Sequence, residues 1–432
     1  MYKMNLTETS KIYEFPVLQL LGHKKKLINF IKKNISSYLG EKSVLLDLFS
    51  GTSIVAYNYK KTNKVYANDI SPFSYEIAKA LISNNKHIKY TEFLNKIQFK
   101  YNKNKSKLID IYKDEYKTEK KLLYNDETQK LIDLYYGVQT YPYEKSTIDI
   151  YRSNNNKFPY MLFTYYYRNN YFGVKQSIDI DSIKYSINNN NFNTIEKGIL
   201  HTCLFYAMNE CSFSRDGHFA QVLNLNSNKN RLLKIRKKDI YNKFLKKLHE
   251  FKKGNFIINE KMYHDSSKYS MNLNYDEALL SEEIKNNVDV VYADPPYTTN
   301  KYSRYYHLLD TVVLYDYPKI SKHHGNYTKG RYRKNRIKSN FSSKVNAIKE
   351  IKNLFNICKN NKKILVFSYA YPKDPQNSNT TRYSASINDI IQSGYDVFGK
   401  DKFEIKIKPY EHSNQRRKTN KLVNEYLLIG KY

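Results

Sequence analysis

Cysteine is scarce in this chain of 432 residues, with only three: Cys203, Cys211 and Cys358. Their spacing makes neither a disulfide framework nor a metal-ligand pattern, which points to a reduced, intracellular protein without a bound metal. Long apolar runs are missing as well. No stretch of about 18 apolar residues occurs, so no membrane-spanning helix is expected. Met1–Ser10 is polar and has no signal-peptide core. No residue period repeats. Acids are few against bases: 41 Asp and Glu face 73 Lys and Arg, a formal charge of +32. Two readings of that excess stand. One is the codon bias of an AT-rich genome, which also enriches Asn, Ile and the 44 tyrosines. The other is a polyanionic partner, favoured because bias alone should not spare Lys while limiting Asp and Glu. What is present suffices for a core: 41% of residues are hydrophobic. The length admits one large catalytic domain with a substantial insertion.

The chain is organised around Val288–Tyr297, V-D-V-V-Y-A-D-P-P-Y. Its apolar, β-branched start predicts a short buried strand. Pro295 and Pro296 then stop the strand and stiffen the backbone after Asp294. A carboxylate, a rigid Pro-Pro and the Tyr297 ring thus stand together at the carboxyl end of a strand, where open α/β sheets bind ligands. Such a group suits an exocyclic amine on a base, whose lone pair is delocalised into the ring. Asp294 and the carbonyl of Pro295 can accept hydrogen bonds from the NH2, which localises the lone pair. Tyr297 can stack on the base, worth about 1–3 kcal/mol. The plainer alternative is a strand ending in a Pro turn with a solvated Asp.

Other stretches extend the pattern. Gly22-His23-Lys24 predicts a turn, followed by an amphipathic helix carrying Leu27, Ile28, Ile31 and Ile35. Ser43–Ser53 predicts a buried strand, a tight turn at Gly51 and a helix over Ile54–Tyr59; Gly51 allows close backbone approach to a ligand at an electropositive helix start. Lys64–Ile70 predicts a second strand ending in Asp69, about twenty residues on from the turn, as for an acid that grips a ribose. Asp69 reads equally as an N-cap for the helix from Pro72. Further strands are expected at Asn255–Met262, Lys363–Tyr369, Phe403–Lys408 and Glu425–Gly430, the last two as an antiparallel pair. The expected fold is α/β, a Rossmann-like seven-stranded sheet with a large, mostly helical insertion. The division is 1–80 and 254–432 for the catalytic domain and 81–253 for the insertion.

Lys319–Lys344 carries nine Lys or Arg and no Asp or Glu. Lys329, Arg331, Arg333, Lys334, Arg336 and Lys338 are its densest part, interleaved with Tyr327 and Tyr332. Beside the central strand, this reads as a loop gripping phosphates, against the alternative of a solvated face. If Arg331, Arg333 and Arg336 all touch phosphates, their joint loss flattens the salt slope of DNA binding by up to about 2.7.

D-P-P-Y at Asp294–Tyr297 resembles the catalytic tetrapeptide of the amino-methyltransferases, and the continuation Thr298–His307 is similar to Dam-like DNA adenine-N6 methyltransferases of the α group. Phe49-Ser50-Gly51-Thr52-Ser53 resembles their F-x-G-x-G motif, with Ser53 in place of the second glycine. Gly22 and Lys24 match their G-S-K segment, with His23 departing from it. Tyr171-Phe172-Gly173 and Gly217-His218-Phe219-Ala220 are similar to further family segments. The resemblance implies S-adenosylmethionine as cofactor, the sheet of such methyltransferases, and methylation of a flipped-out adenine in double-stranded DNA. It implies cofactor contacts at Gly22, Lys24, Phe49, Ser50, Gly51, Asp69 and Asp265, with Lys24 near the methionine carboxylate and Asp265 at the adenine. The insertion then occupies the place of the target-recognition domain. The setting implied is a bacterial restriction–modification system, cytoplasmic and nucleoid-associated, with a cognate endonuclease as a further partner. Other amine-bearing targets, RNA adenine or cytosine N4, remain open, as does a non-catalytic DNA-binding subunit. Intact Asp294, Tyr297, Gly51 and Asp69 argue against the last.

Overall fold

The computed structural model describes residues 18, 22, 24–40, 42–138, 145–215, 217–253, 269–412 and 421–432. Among them run strands β1 (Val44–Asp47), β2 (Lys64–Asn68), β3 (Ser270–Met271), β4 (Val290–Ala293), β5 (Lys322–His323), β6 (Asn326–Tyr327), β7 (Ile364–Pro372), β8 (Phe403–His412) and β9 (Lys421–Gly430). Seven form one sheet in the order β3-β2-β1-β4-β7-β9-β8. Pairing is parallel from β3 to β7, whereas β9 runs antiparallel to both β7 and β8. β5 and β6 make a separate exposed hairpin.

The sequence explains the centre of the sheet. β1 (V-L-L-D) and β4 (V-V-Y-A) are buried at every position, because both have paired edges and covered faces, so apolar residues run continuously instead of alternating. Asp289, just ahead of β4, accepts the Val44 amide at 2.8 Å and locks the register of the two strands. The strands expected from β-branched runs are present, with β7, β8 and β9 longer than predicted. The strand beside β2 is Ser270–Met271. The segment Asn255–Met262 expected in that place, and Asp265 after it, lie outside the described residues.

The stretch between β2 and β3 is helical, from Tyr90–Ile111 to Ile240–Lys253. Its helices do not stand apart from the sheet. One continuous cluster of buried side chains takes in Leu45 and Val291 of the sheet together with Ile97, Ile180 and Leu204 of the insertion. The seam is the helix Thr194–Cys211 against Pro72–Ala78: a Cβ at Gly198 would stand 2.7 Å from Lys79 Cβ and 2.9 Å from the Glu76 carbonyl. Beside it lies a buried polar knot. Glu76 accepts from Lys79 at 2.8 Å and faces His201 Nδ1 at 3.0 Å, while Lys184 Nζ lies 2.8 Å from His201 Nε2.

Candidate active site

Parallel pairing in register brings the ends of β1, β2 and β4 to one edge: Asp47 stands opposite Ala67 on one side and Tyr292 on the other. The turn after β1 is tied down across these ends, Leu48 N donating to the Tyr292 carbonyl and Ser50 N to the Asn68 carbonyl, both at 2.9 Å. Gly51 has φ +52° and Ser53 φ +58°. Ser53 therefore adopts the left-handed backbone that glycine favours, which accounts for the second glycine of the F-x-G-x-G pattern. Asp69 braces the same turn, accepting Gly51 N at 2.9 Å and Ser71 N at 2.8 Å. The cap residue of the following helix is Ser71, so Asp69 links two loops instead of capping. Burial raises its carboxyl above the ordinary value, against the pull of those two amides.

A cavity of about 1190 Å³ opens over this edge. It collects Gly22, Lys24, Phe49, Ser50, Gly51 and Asp69 on one side and Asp294, Pro295, Pro296 and Tyr297 on the other, a grouping that spans most of the chain. Ser50 Oγ and Asp294 Oδ1 are buried on it without a hydrogen-bond partner. On a cavity wall such atoms are available to a ligand's polar groups.

The Asp294 carboxylate, its side chain 18% exposed, lies with Oδ1 3.0 Å from Lys24 Nζ. That contact is an ion pair, and Oδ1 has no hydrogen-bond partner. Lys24 Nζ donates to Glu425 Oε1 on β9 at 2.8 Å. Lys24, expected at the cofactor carboxylate, thus has two protein carboxylates as partners. Burial works against the Lys24 charge, but Asp294 and Glu425 outweigh it and hold the ammonium well above its usual value. Burial and the Glu425 charge raise the Asp294 carboxyl above the ordinary range, with Lys24 opposing. The two directions conflict only apparently, since one ammonium serves two buried carboxylates. Gly22, at φ +79°, leaves room here: a Cβ would meet Tyr302 Oη at 3.1 Å and Tyr297 Oη at 3.3 Å.

The backbone after Tyr297 is pinned by an antiparallel bridge, Ser384 N donating to the Tyr297 carbonyl at 3.1 Å and Thr299 N to the Arg382 carbonyl at 2.8 Å. Tyr297 stacks near-parallel on Tyr383, ring centres 6.2 Å apart. Farther on, the segments similar to the family meet: Phe219 N donates to the Tyr305 carbonyl at 2.7 Å, and the buried His307 contacts the Phe219 carbonyl through Nε2 at 3.2 Å.

The basic loop divides in two. Arg331 binds the Tyr166 carbonyl and Asn169, Arg333 makes a two-pronged pair with Asp316 at 2.6 Å, and Arg336 binds the Arg333 carbonyl at 2.6 Å. The stretch itself holds no acid, but Asp316, just before it in sequence, folds back onto it and pairs with Arg333. The three arginines fasten the loop to the protein, whereas Lys329, Lys334 and Lys338 are exposed. Lys338 lies on the cavity, and the other five cations do not line it.

Sequence reasoning missed Glu425, Asp47 and Phe341. Asp47 accepts Ala56 N at 3.1 Å, and burial pushes its carboxyl up to about 8. Phe341 packs edge-on to Phe49 at 5.2 Å and roofs the cavity. Asp47 and Glu425 each left a signal: an acid in a largely apolar strand. Among the described residues no group of three or more His, Cys, Asp or Glu could hold a metal, and no helix is long and apolar enough to cross a membrane.

A seven-stranded sheet with one antiparallel strand next to its last, and a cavity over the ends of its first, second and fourth strands, defines a methyltransferase-type α/β fold. Residues 21–232 match the model of the D12 class N6 adenine-specific DNA methyltransferases. The match takes in Gly22, Lys24, the Gly51 turn and Asp69, and ends before Asp294. The chain is 27% identical over 70% of its length to Type II methyltransferase M.FokI of Planomicrobium okeanokoites, covering 38% of that protein. It is 26% identical over 78% of its length to Modification methylase StsI of Streptococcus sanguinis, covering 42% of it. To Modification methylase LlaI of Lactococcus lactis subsp. lactis it is 23% identical over 78% of its length, covering 44%. It therefore spans less than half the length of these relatives. No solved structure gives a significant match.

Proposed function

We propose that this chain transfers a methyl group from S-adenosylmethionine to N6 of a flipped-out adenine in duplex DNA, as the modification enzyme of a bacterial restriction–modification system. The observation that carries the reading is the open acceptor Asp294 Oδ1 at the end of β4, in one cavity with the Gly51 turn. The residues suit the cofactor: a glycine turn at positive φ, Ser50 Oγ without a partner, and Asp69 on the rim. Gly22, Phe49, Ser50, Gly51 and Asp69 would hold it, and when bound it supplies an electrophilic methyl on a sulfonium. Asp294 and the Pro295 carbonyl accept from the target amine and localise its lone pair on nitrogen. Pro295 and Pro296 fix that carbonyl, and Tyr297 offers its ring to the base. Extruding the base costs a few kcal/mol, offset by stacking and phosphate contacts. Residues 81–253 are the candidate for target recognition, and Lys329, Lys334 and Lys338 for phosphate contact. The bacterial cytoplasm, beside a cognate endonuclease, is the setting that goes with this reading.

The test is methylation of duplex DNA with isotopically labelled S-adenosylmethionine, followed by nucleoside analysis. N6-methyladenine is expected, and Asp294→Ala should lose transfer while cofactor binding by calorimetry stays largely intact. Label in N4-methylcytosine, or only in RNA, would replace the reading by those targets. Near-normal turnover of Asp294→Ala would remove the mechanism.

A further inference from the structure

Glu425 is an unusual residue for its place. It sits in the middle of β9, opposite Ala370 of β7 and Lys408 of β8, with its side chain 0% exposed. A carboxylate so enclosed is costly unless paired. Its Oε1 receives Lys24 Nζ and Ser368 Oγ, while Oε2 has no hydrogen-bond partner. Lys24, 4% exposed, is in turn shared with Asp294. Two carboxylates therefore divide one ammonium, and its hydrogen bond goes to Glu425, which does not line the cavity.

We propose that Glu425 is a positioning residue for methyl transfer: by accepting the N–H of Lys24, it keeps the ammonium, 3.0 Å away, from donating to Asp294 Oδ1 and leaves that acceptor for the target amine. The role rests on the function proposed above. Without Glu425, Lys24 would turn its N–H onto Asp294 and compete with the base for the same oxygen. Without Lys24, two buried carboxylates would face each other unscreened, and Asp294 would hold a proton more readily. The other titratable groups facing Asp294 and Lys24 are Tyr292, Tyr297 and Tyr302 from the β4 segment, Tyr410 from β8, and Asp47 from β1. The tyrosines are raised by burial and stay neutral, so within the cluster the charge balance at Asp294 is set chiefly by Lys24 and Glu425.

Single-turnover methylation across pH reads this balance, because only the ionised Asp294 is a full acceptor. Glu425→Gln should slow transfer about tenfold, the size of one lost or blocked hydrogen bond. It should also move the acid limb down by about one pH unit, as expected when a like charge leaves a shared site. Lys24→Met should move that limb up, and Glu425→Asp should keep it near the wild-type position. Cofactor affinity, measured by calorimetry, should change little in Glu425→Gln. Unchanged limbs in both Glu425→Gln and Lys24→Met would overturn the proposal, and so would a Glu425→Gln enzyme with the wild-type rate. Should Glu425→Gln not fold, the Lys24→Met limb decides alone. A wild-type protein that forms no N6-methyladenine sinks the underlying function instead, and the role with it.

Discussion

At the scale of single residues, Ser53 and Tyr297 show how backbone and ring chemistry shape the site. Ser53 is left-handed, and its buried Oγ finds no hydrogen-bond partner. A non-glycine residue there costs on the order of 1 kcal/mol, and the orphan hydroxyl adds to it. Ser53→Gly removes both terms, though it frees the unfolded chain. The net expectation is stabilisation of up to about 1 kcal/mol in a urea melt; a destabilised variant would show that the serine is needed in the turn. Tyr297 contributes its ring, already set against Tyr383. Tyr297→Phe should therefore keep most of the transfer rate, while Tyr297→Ala should lose about ten- to a hundredfold, the stacking share of base binding. Equal loss in both would move the role from ring to hydroxyl.

At the scale of elements, the knot of Glu76, Lys79, Lys184 and His201 ties the helix Thr194–Cys211 to Pro72–Ala78. Glu76 is held down to about 2: burial opposes the shift, but His201 and Lys79 overcome it. Glu76→Ala leaves buried cations without their carboxylate and should cost about 3–5 kcal/mol in urea unfolding. A loss below about 1 kcal/mol would mean that the knot relaxes into solvent. Burial, with Lys184 beside it, pushes His201 down to about 4. Between that value and the ordinary imidazole value of about 6.5 the unfolded chain binds the extra proton. Stability from this group is complete above the upper value and declines as the pH falls through the window. Comparing urea midpoints at pH 7 and pH 5 should show that decline, and a smaller one in His201→Gln.

At the scale of the whole molecule, the charge of +32 is unevenly employed. Arg331, Arg333 and Arg336 are bound to the protein itself, so the loss of salt slope once expected from them passes to the exposed lysines. Changing Lys329, Lys334 and Lys338 to Gln should lower the slope of log affinity against log salt by up to about 2.7, alike for cognate and random duplexes. An unchanged slope would make this face merely solvated. Replacing the three arginines should instead expose the loop to limited proteolysis, because it loses its anchors on Tyr166, Asn169 and Asp316.

The sequence by itself determined what depends on neighbours along the chain. Buried strands showed as apolar runs, the stop after Asp294 as two prolines, and the turn on the cavity as Gly51 between a strand and a helix. Parallel order of those strands then sufficed to gather Gly51, Asp69 and Asp294 at one edge, as expected from the motifs. Only the tertiary structure decided which charges meet. Lys24 and Glu425 are separated by 401 positions, and no local pattern could pair them across Asp294. Composition likewise treated the six loop cations alike. The fold separated them, because a planar guanidinium can bind carbonyls and a carboxylate at several points while a lysine stem leaves its ammonium in water.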